Sequence, residues 1–126
     1  MTMRESIVAA RVNGPLRNAE GAATLEFRFP PDDPTFAGHF PTRPVLPGVF
    51  QLEIVRFAAE LVLNCSLGVR EIKKAKFLRP IAPNELVRVE LNLSEGDGMI
   101  QIRARFVTGG RLAGEANLQL SRNPDS

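Results

Sequence analysis

The chain has few of the residues that most often do chemistry or stack on nucleic acid bases. Its 126 residues include one histidine, His39, and one cysteine, Cys65, with no tryptophan and no tyrosine. One Cys with one His cannot build a structural zinc site, and a single Cys cannot close an internal disulfide. Cys65 reads as a small, partly buried thiol. Without Trp or Tyr, any stacking on single strands would fall to phenylalanine. A formal charge of only +2, with basic residues spread along the chain, gives no footprint for nucleic acid. No apolar run reaches membrane-spanning length. The opening MTMRESIVAARVNG has no apolar stretch followed by a small-residue cleavage site, so no signal peptide is expected and a cytoplasmic location is.

What is present suits one soluble domain of 126 residues, with apolar content of 44% and charged content of 24%. A domain of this size is marginal alone, so self-association would help it. Six of the ten prolines fall between Pro30 and Pro47. They mark a long loop, which Phe36, Phe40, Val45 and Leu46 would keep ordered.

Alternation sets the strands. Leu25, Phe27 and Phe29 share one side of ATLEFRF, residues 23 to 29. ESIVAARV, residues 5 to 12, is a weaker strand candidate, and REIKKAKFLRP, residues 70 to 80, another strand. Val87, Val89, Leu91 and Leu93 alternate with polar residues, as do Ile100, Ile102, Ala104 and Phe106, and then Leu112 to Leu120. Gly96-Asp97-Gly98 and Gly109-Gly110 supply turns, which makes an antiparallel meander. The tail RNPDS should fray.

VFQLEIVRFAAELVLN, residues 49 to 64, lacks proline and glycine and is too long for a strand. Pro47-Gly48 sets its start and Asn64 its end. Apolar residues occupy most of its circumference, so it should be covered nearly all round. One wide apolar helix over residues about 48–64, with about six antiparallel strands, predicts an α+β fold in which a curled sheet wraps the helix. This is the hot-dog fold.

FAGHFPTRPVLPG, residues 36 to 48, holds His39 in a proline-stiffened loop ahead of that helix. Imidazole exchanges protons near neutral pH, so His39 is a candidate base. A lone histidine is also commonly structural. Glu53 sits on the second turn of the helix, where burial would favour its acid form. Yet Glu53, Arg56 and Glu60 share one helix face and read equally as a salt-bridged, solvated stripe, with Arg56 favouring the charged form. The free N–H groups near Gly48 and Val49 carry the positive end of the helix dipole and suit a carbonyl oxygen. Gly48 would let a substrate approach the backbone. The same residues also make an ordinary Pro-Gly helix entry.

Phe36, Gly38, His39, Phe40, Pro41, Pro44, Pro47, Gly48 and Val49, with Glu53 fourteen positions after the histidine, resemble the signature of the FabA/FabZ family. KAKFLRPIAP, residues 74 to 83, is similar to that family's K-x-x-F-x-R-P-V-x-P strand. The resemblance covers most of the chain in order. The resemblance implies a 3-hydroxyacyl-[acyl-carrier-protein] dehydratase with a hot-dog fold. It implies His39 as base from one protomer and Glu53 as acid from the other, at a homodimer interface. It also implies backbone amides of Gly48 and Val49 on the thioester carbonyl, and no metal or redox cofactor. The substrate would arrive on the phosphopantetheine arm of an acidic acyl carrier protein, docked in part by Arg70, Lys73, Lys74, Lys76 and Arg79. Assembly beyond the dimer is left open. The fatty-acid enzymes usually carry glutamine four residues after the acid, where this chain has Phe57. LPGVFQLE is instead similar to dehydratases of specialised pathways, such as those making aryl polyene lipids. A hot-dog thioesterase, in which a helix carboxylate activates water, and a non-catalytic pairing subunit are the rival readings.

Overall fold

The computed structural model describes residues 2–18, 20–36 and 45–124. Elements follow the order α1 (Met3–Ala10), β1 (Arg11–Arg17), β2 (Ala22–Phe27), α2 (Gly48–Leu63), β3 (Leu67–Phe77), β4 (Val87–Gly96), β5 (Met99–Thr108) and β6 (Arg111–Arg122). A short 3-10 turn, Pro34–Phe36, interrupts the loop before α2. Six strands form one antiparallel sheet in the order β1-β2-β4-β5-β6-β3. Buried residues of α2, including Ile54, Val55, Ala58 and Val62, share one core with Leu25 and Phe27 of β2, Val89 of β4, Ile102 of β5 and Leu118 of β6. This is the hot-dog arrangement that the wide apolar helix and the meander predict.

The meander forms as read. Asp97 and Gly98, and then Gly109 and Gly110, all take positive φ between the paired ends of the hairpins. Two-residue loops with positive φ at both positions match the twist of antiparallel strands, which is why glycine recurs there. α2 ends at Asn64, whose left-handed backbone (φ 53) turns the chain out of the helix.

One reading needs correction. Residues 5–12 are not a strand: α1 occupies Met3–Ala10 and β1 starts at Arg11. The Thr2 hydroxyl accepts from the Glu5 N–H, and the Glu5 carboxylate accepts from the Thr2 N–H, closing a capping box. Ser6, Ile7 and Ala10 are buried and Met3 packs against the core, a helical spacing that overrides the β-branched pair. β1 itself contains Gly14-Pro15. As an edge strand it tolerates the missing N–H, and its pairing with β2 shifts register across those residues.

β3 is the other edge. Its pairing with β6 skips at Arg70 and again at Lys73. These bulges place Val69, Ile72, Ala75 and Phe77 opposite Leu120, Leu118, Ala116 and Gly114, on the core side of the sheet. Past Leu67, which is buried, the core side of β3 nevertheless stays partly uncovered, with Ile72 51% and Phe77 49% exposed.

Candidate active site

The long loop enters and leaves the site on fixed ends. Asp33 is buried and accepts from the Ser6 hydroxyl of α1 at 3.1 Å and from the Thr35 N–H at 2.8 Å. Phe36 and Leu46 are buried, and the Leu46 N–H donates to the Ile81 carbonyl at 2.8 Å. His39, with Gly38, Phe40, Pro41 and Pro44, lies outside the described residues.

α2 begins without a side-chain cap. The N–H groups of Phe50 and Gln51 both turn back to the Pro47 carbonyl, while those of Gly48 and Val49 meet no acceptor among the described residues. Gly48 has a defined reason to be glycine: a Cβ there would stand 2.7 Å from Cε2 of Phe77. The Phe77 ring makes a close approach to the backbone at this position. Phe77 and Leu78 to Pro80 join Val45 to Gly48 and Gln51 around a cleft of about 280 Å³. Loop and strand motifs, distant in sequence, thus meet at the start of α2.

Gln51 is a polar residue in the first turn of an otherwise apolar helix, yet it is 3% exposed and lines this cleft. Its amide N–H donates weakly to the Leu46 carbonyl at 3.4 Å, and its buried Oε1 has no partner among the described residues. Its sequence signal is position, three residues into an otherwise apolar helix start.

Glu53, Arg56 and Glu60 do share one face, but the face is covered rather than solvated. Arg56 grips Glu53 with two bonds, Nε to Oε2 at 3.0 Å and Nη2 to Oε1 at 2.5 Å. Its remaining Nη1 donates to the Leu67 carbonyl at 3.1 Å and lies 3.7 Å from Glu60. The bonds to Glu53 raise Arg56 above the ordinary arginine value. Arg4 reaches in from α1, with Nη2 2.6 Å from Glu60 Oε1 and 3.4 Å from Glu53 Oε1. Its guanidinium lies over the Phe57 ring, 5.1 Å from the centroid. Glu60 completes the closure by accepting the Leu67 N–H at 2.8 Å. Glu53 and Glu60 are only 19% and 14% exposed at the side chain. Sequence spacing found the stripe but not Arg4, because nothing local joins residue 4 to residue 53.

Of the proposed docking residues, Arg70 donates to the Ser121 hydroxyl and Lys74 lies 3.7 Å from Glu115. Lys73 and Lys76 are exposed, and Arg79 lines the cleft beside Gly48. The five do not form one patch: Lys74 and Lys76 share the outer sheet face, Arg70 and Lys73 sit at the bulges, and Arg79 stands beyond the end of β3.

Residues 16–113 match the ApeI-like family, described as ApeI dehydratase. The chain belongs to the ApeI-like dehydratase family. The ApeI-like segment contains α2, β3 to β5 and both motifs, while α1 and Arg4 precede it. This ApeI-like chain is 35% identical over 98 residues to the 3-hydroxyacyl-[acyl-carrier-protein] dehydratase FabZ of Variovorax paradoxus, covering 69% of the chain and 65% of the relative. It is 34% identical to the FabZ of Nitrosospira multiformis, over 74% of the chain and 71% of the relative. Against some of these relatives, including the Variovorax enzyme, the chain spans just under two thirds of their length. Among solved structures, the dehydratase heterocomplex ApeI:P from Xenorhabdus doucetiae superposes with a TM-score of 0.71 at 26% identity, covering 85% of this chain and 93% of that one.

Proposed function

We propose that the chain dehydrates 3-hydroxyacyl thioesters on acyl carrier protein to trans-2-enoyl thioesters, in fatty acid or related aryl polyene biosynthesis. The observation that carries the proposal is the ApeI-like match over residues 16–113, a span that holds His39, the Gly48 helix start and Glu53 together. In this reading His39 removes the proton alpha to the thioester. The Gly48 and Val49 N–H groups receive the carbonyl oxygen as it gains charge. Glu53 is the acid partner of the departing beta-hydroxyl, which leaves as water. A carboxyl carrying that proton keeps one oxygen free to accept from a guanidinium, so one of the two Arg56 bonds gives way in that state. No metal or redox cofactor enters.

The chain acts as one cytoplasmic domain in a homodimer, His39 of one protomer facing Glu53 of its partner. The partly uncovered core side of β3 supports this, since an edge strand with exposed Val69, Ile72 and Phe77 is open to a second copy. An acidic acyl carrier protein presents the substrate on its phosphopantetheine arm. Arg79 at the cleft, with Arg70, Lys73, Lys74 and Lys76 along β3, supplies attraction of the right sign.

The test is interconversion of carrier-bound 3-hydroxyacyl and 2-enoyl substrate. Wild-type turnover that falls by about a hundredfold or more in His39→Ala and in Glu53→Gln is expected, the scale set by loss of an acid–base group. Turnover that survives His39→Ala overturns the mechanism. Free thiol released from acyl thioester would make the chain a thioesterase, and a folded chain inert toward both substrates would make it a pairing subunit.

A further inference from the structure

We propose that Arg4 is a positioning residue for Glu53, so that helix α1 is a working part of the active site. The inference rests on the dehydratase reading above, in which Glu53 acts on the substrate. Arg56 belongs to the same helix as Glu53 and draws its carboxylate along the α2 surface. Among the described residues, Arg4 alone approaches Glu53 from another element, at 3.4 Å from Oε1. An oxygen held from two directions has its rotation set as well as its distance.

Arg4 is itself held on three sides. Glu60 takes its Nη2 at 2.6 Å, Glu53 lies at 3.4 Å, and the Phe57 ring lies beneath the guanidinium. Phe57 in turn packs edge-on against Phe27, with ring centroids 6.4 Å apart and planes at 66°. Phe27 is fully buried. A line of contacts therefore runs from the core, Phe27 to Phe57 to Arg4 to Glu53. A flat cation over the ring is what makes Phe57 useful at this position: the aromatic side chain cannot bond the carboxylate, but it fixes the group that does. The charges close on themselves, two arginines against two glutamates, so the cluster is neutral as a whole only with Glu53 counted in it. Lysine would keep the charge at position 4 but lack the planar fork that faces ring and carboxylates at once.

The test compares wild type, Arg4→Ala, Arg4→Lys and Phe57→Leu by steady-state dehydration of carrier-bound substrate, with thermal melting of each. Expected is a fall in kcat of about 10- to 100-fold for Arg4→Ala, the scale of a misplaced catalytic group, with KM near wild type. Arg4→Lys should recover part of the loss, and Phe57→Leu should lower kcat less than Arg4→Ala while leaving position 4 unchanged. A role confined to joining α1 to α2 would lower the melting temperature and leave kcat of the folded fraction intact, which overturns the inference. Should Arg4→Ala not fold, Phe57→Leu and Arg4→Lys decide: kcat at the wild-type value in both overturns it. A folded wild type without turnover overturns the dehydratase reading, and this inference with it; an active wild type with unaffected variants overturns this inference alone.

Discussion

Gly114 shows how tightly single residues are specified at the site. A Cβ there would stand 2.9 Å from the Lys76 carbonyl oxygen and 3.4 Å from Gln51 Oε1. The first contact is with backbone of the paired strand, which cannot swing aside. Gly114→Ala should therefore destabilise the protein by about 1–3 kcal/mol, the usual cost of overpacking, as read from denaturant unfolding. At Gly48 the obstacle is the Phe77 ring, a half-exposed side chain that can move, so alanine is better tolerated there. Glu53 and Gly48 were legible as candidates because residue type and helix position suffice to find them. Arg56 was legible beside Glu53 from spacing, but the partners from other elements were not. The burial of Gln51 and the reach of Arg4 depend on which elements pack together, and a periodic pattern within one segment carries no such information.

Among the elements, α1 is the one that sequence alternation misread. ESIVAARV contains enough β-branched and small residues to pass for a strand, yet Thr2 and Glu5 already stood at capping-box spacing. That box is also sensitive to pH. The Glu5 carboxyl is held below its ordinary value of 4.5, first by the bond from the Thr2 backbone N–H and then by the Thr2 side chain. A depressed carboxyl contributes stability that is present above its unfolded value and is lost as pH falls through the folded one. Amide exchange in the first turn of α1 should speed up several-fold below that range, relative to the amides of α2, and Thr2→Ala should reproduce the effect at neutral pH. β4, β5 and β6 were readable almost to their ends because each buries one face and exposes the other. β1 was not, since as an edge it exposes Val12 and Leu16 and leaves no alternation to read.

At the scale of the molecule, the hot-dog architecture was legible from one helix with too much apolar surface and a meander to wrap it. The single chain still does not cover all of its apolar surface: Val49 on α2 is 58% exposed, and Ile72 and Phe77 on the core side of β3 are half-exposed. A charge placed there should be costly only if the side is buried by a second copy. Ile72→Glu is expected to leave the chain folded but shift it from dimer to monomer in light scattering, and to reduce turnover in parallel, because each proposed site draws on two protomers. A monomeric wild type would remove the homodimer from the proposal.

The bulges at Arg70 and Lys73 bear on chain length. Leaving those two residues out, the strand reads Val69, Glu71, Ile72, Lys74, Ala75, Lys76 and Phe77, a strict alternation opposite β6. Each bulge is thus one supernumerary residue spliced into a regular ladder. Shortening the strand by Arg70 or by Lys73 would keep every other side chain on its present face, whereas a one-residue deletion inside the unbroken run from Lys74 to Phe77 would put residues out of step with β6. Natural or engineered length variation in β3 has two places where it can be absorbed.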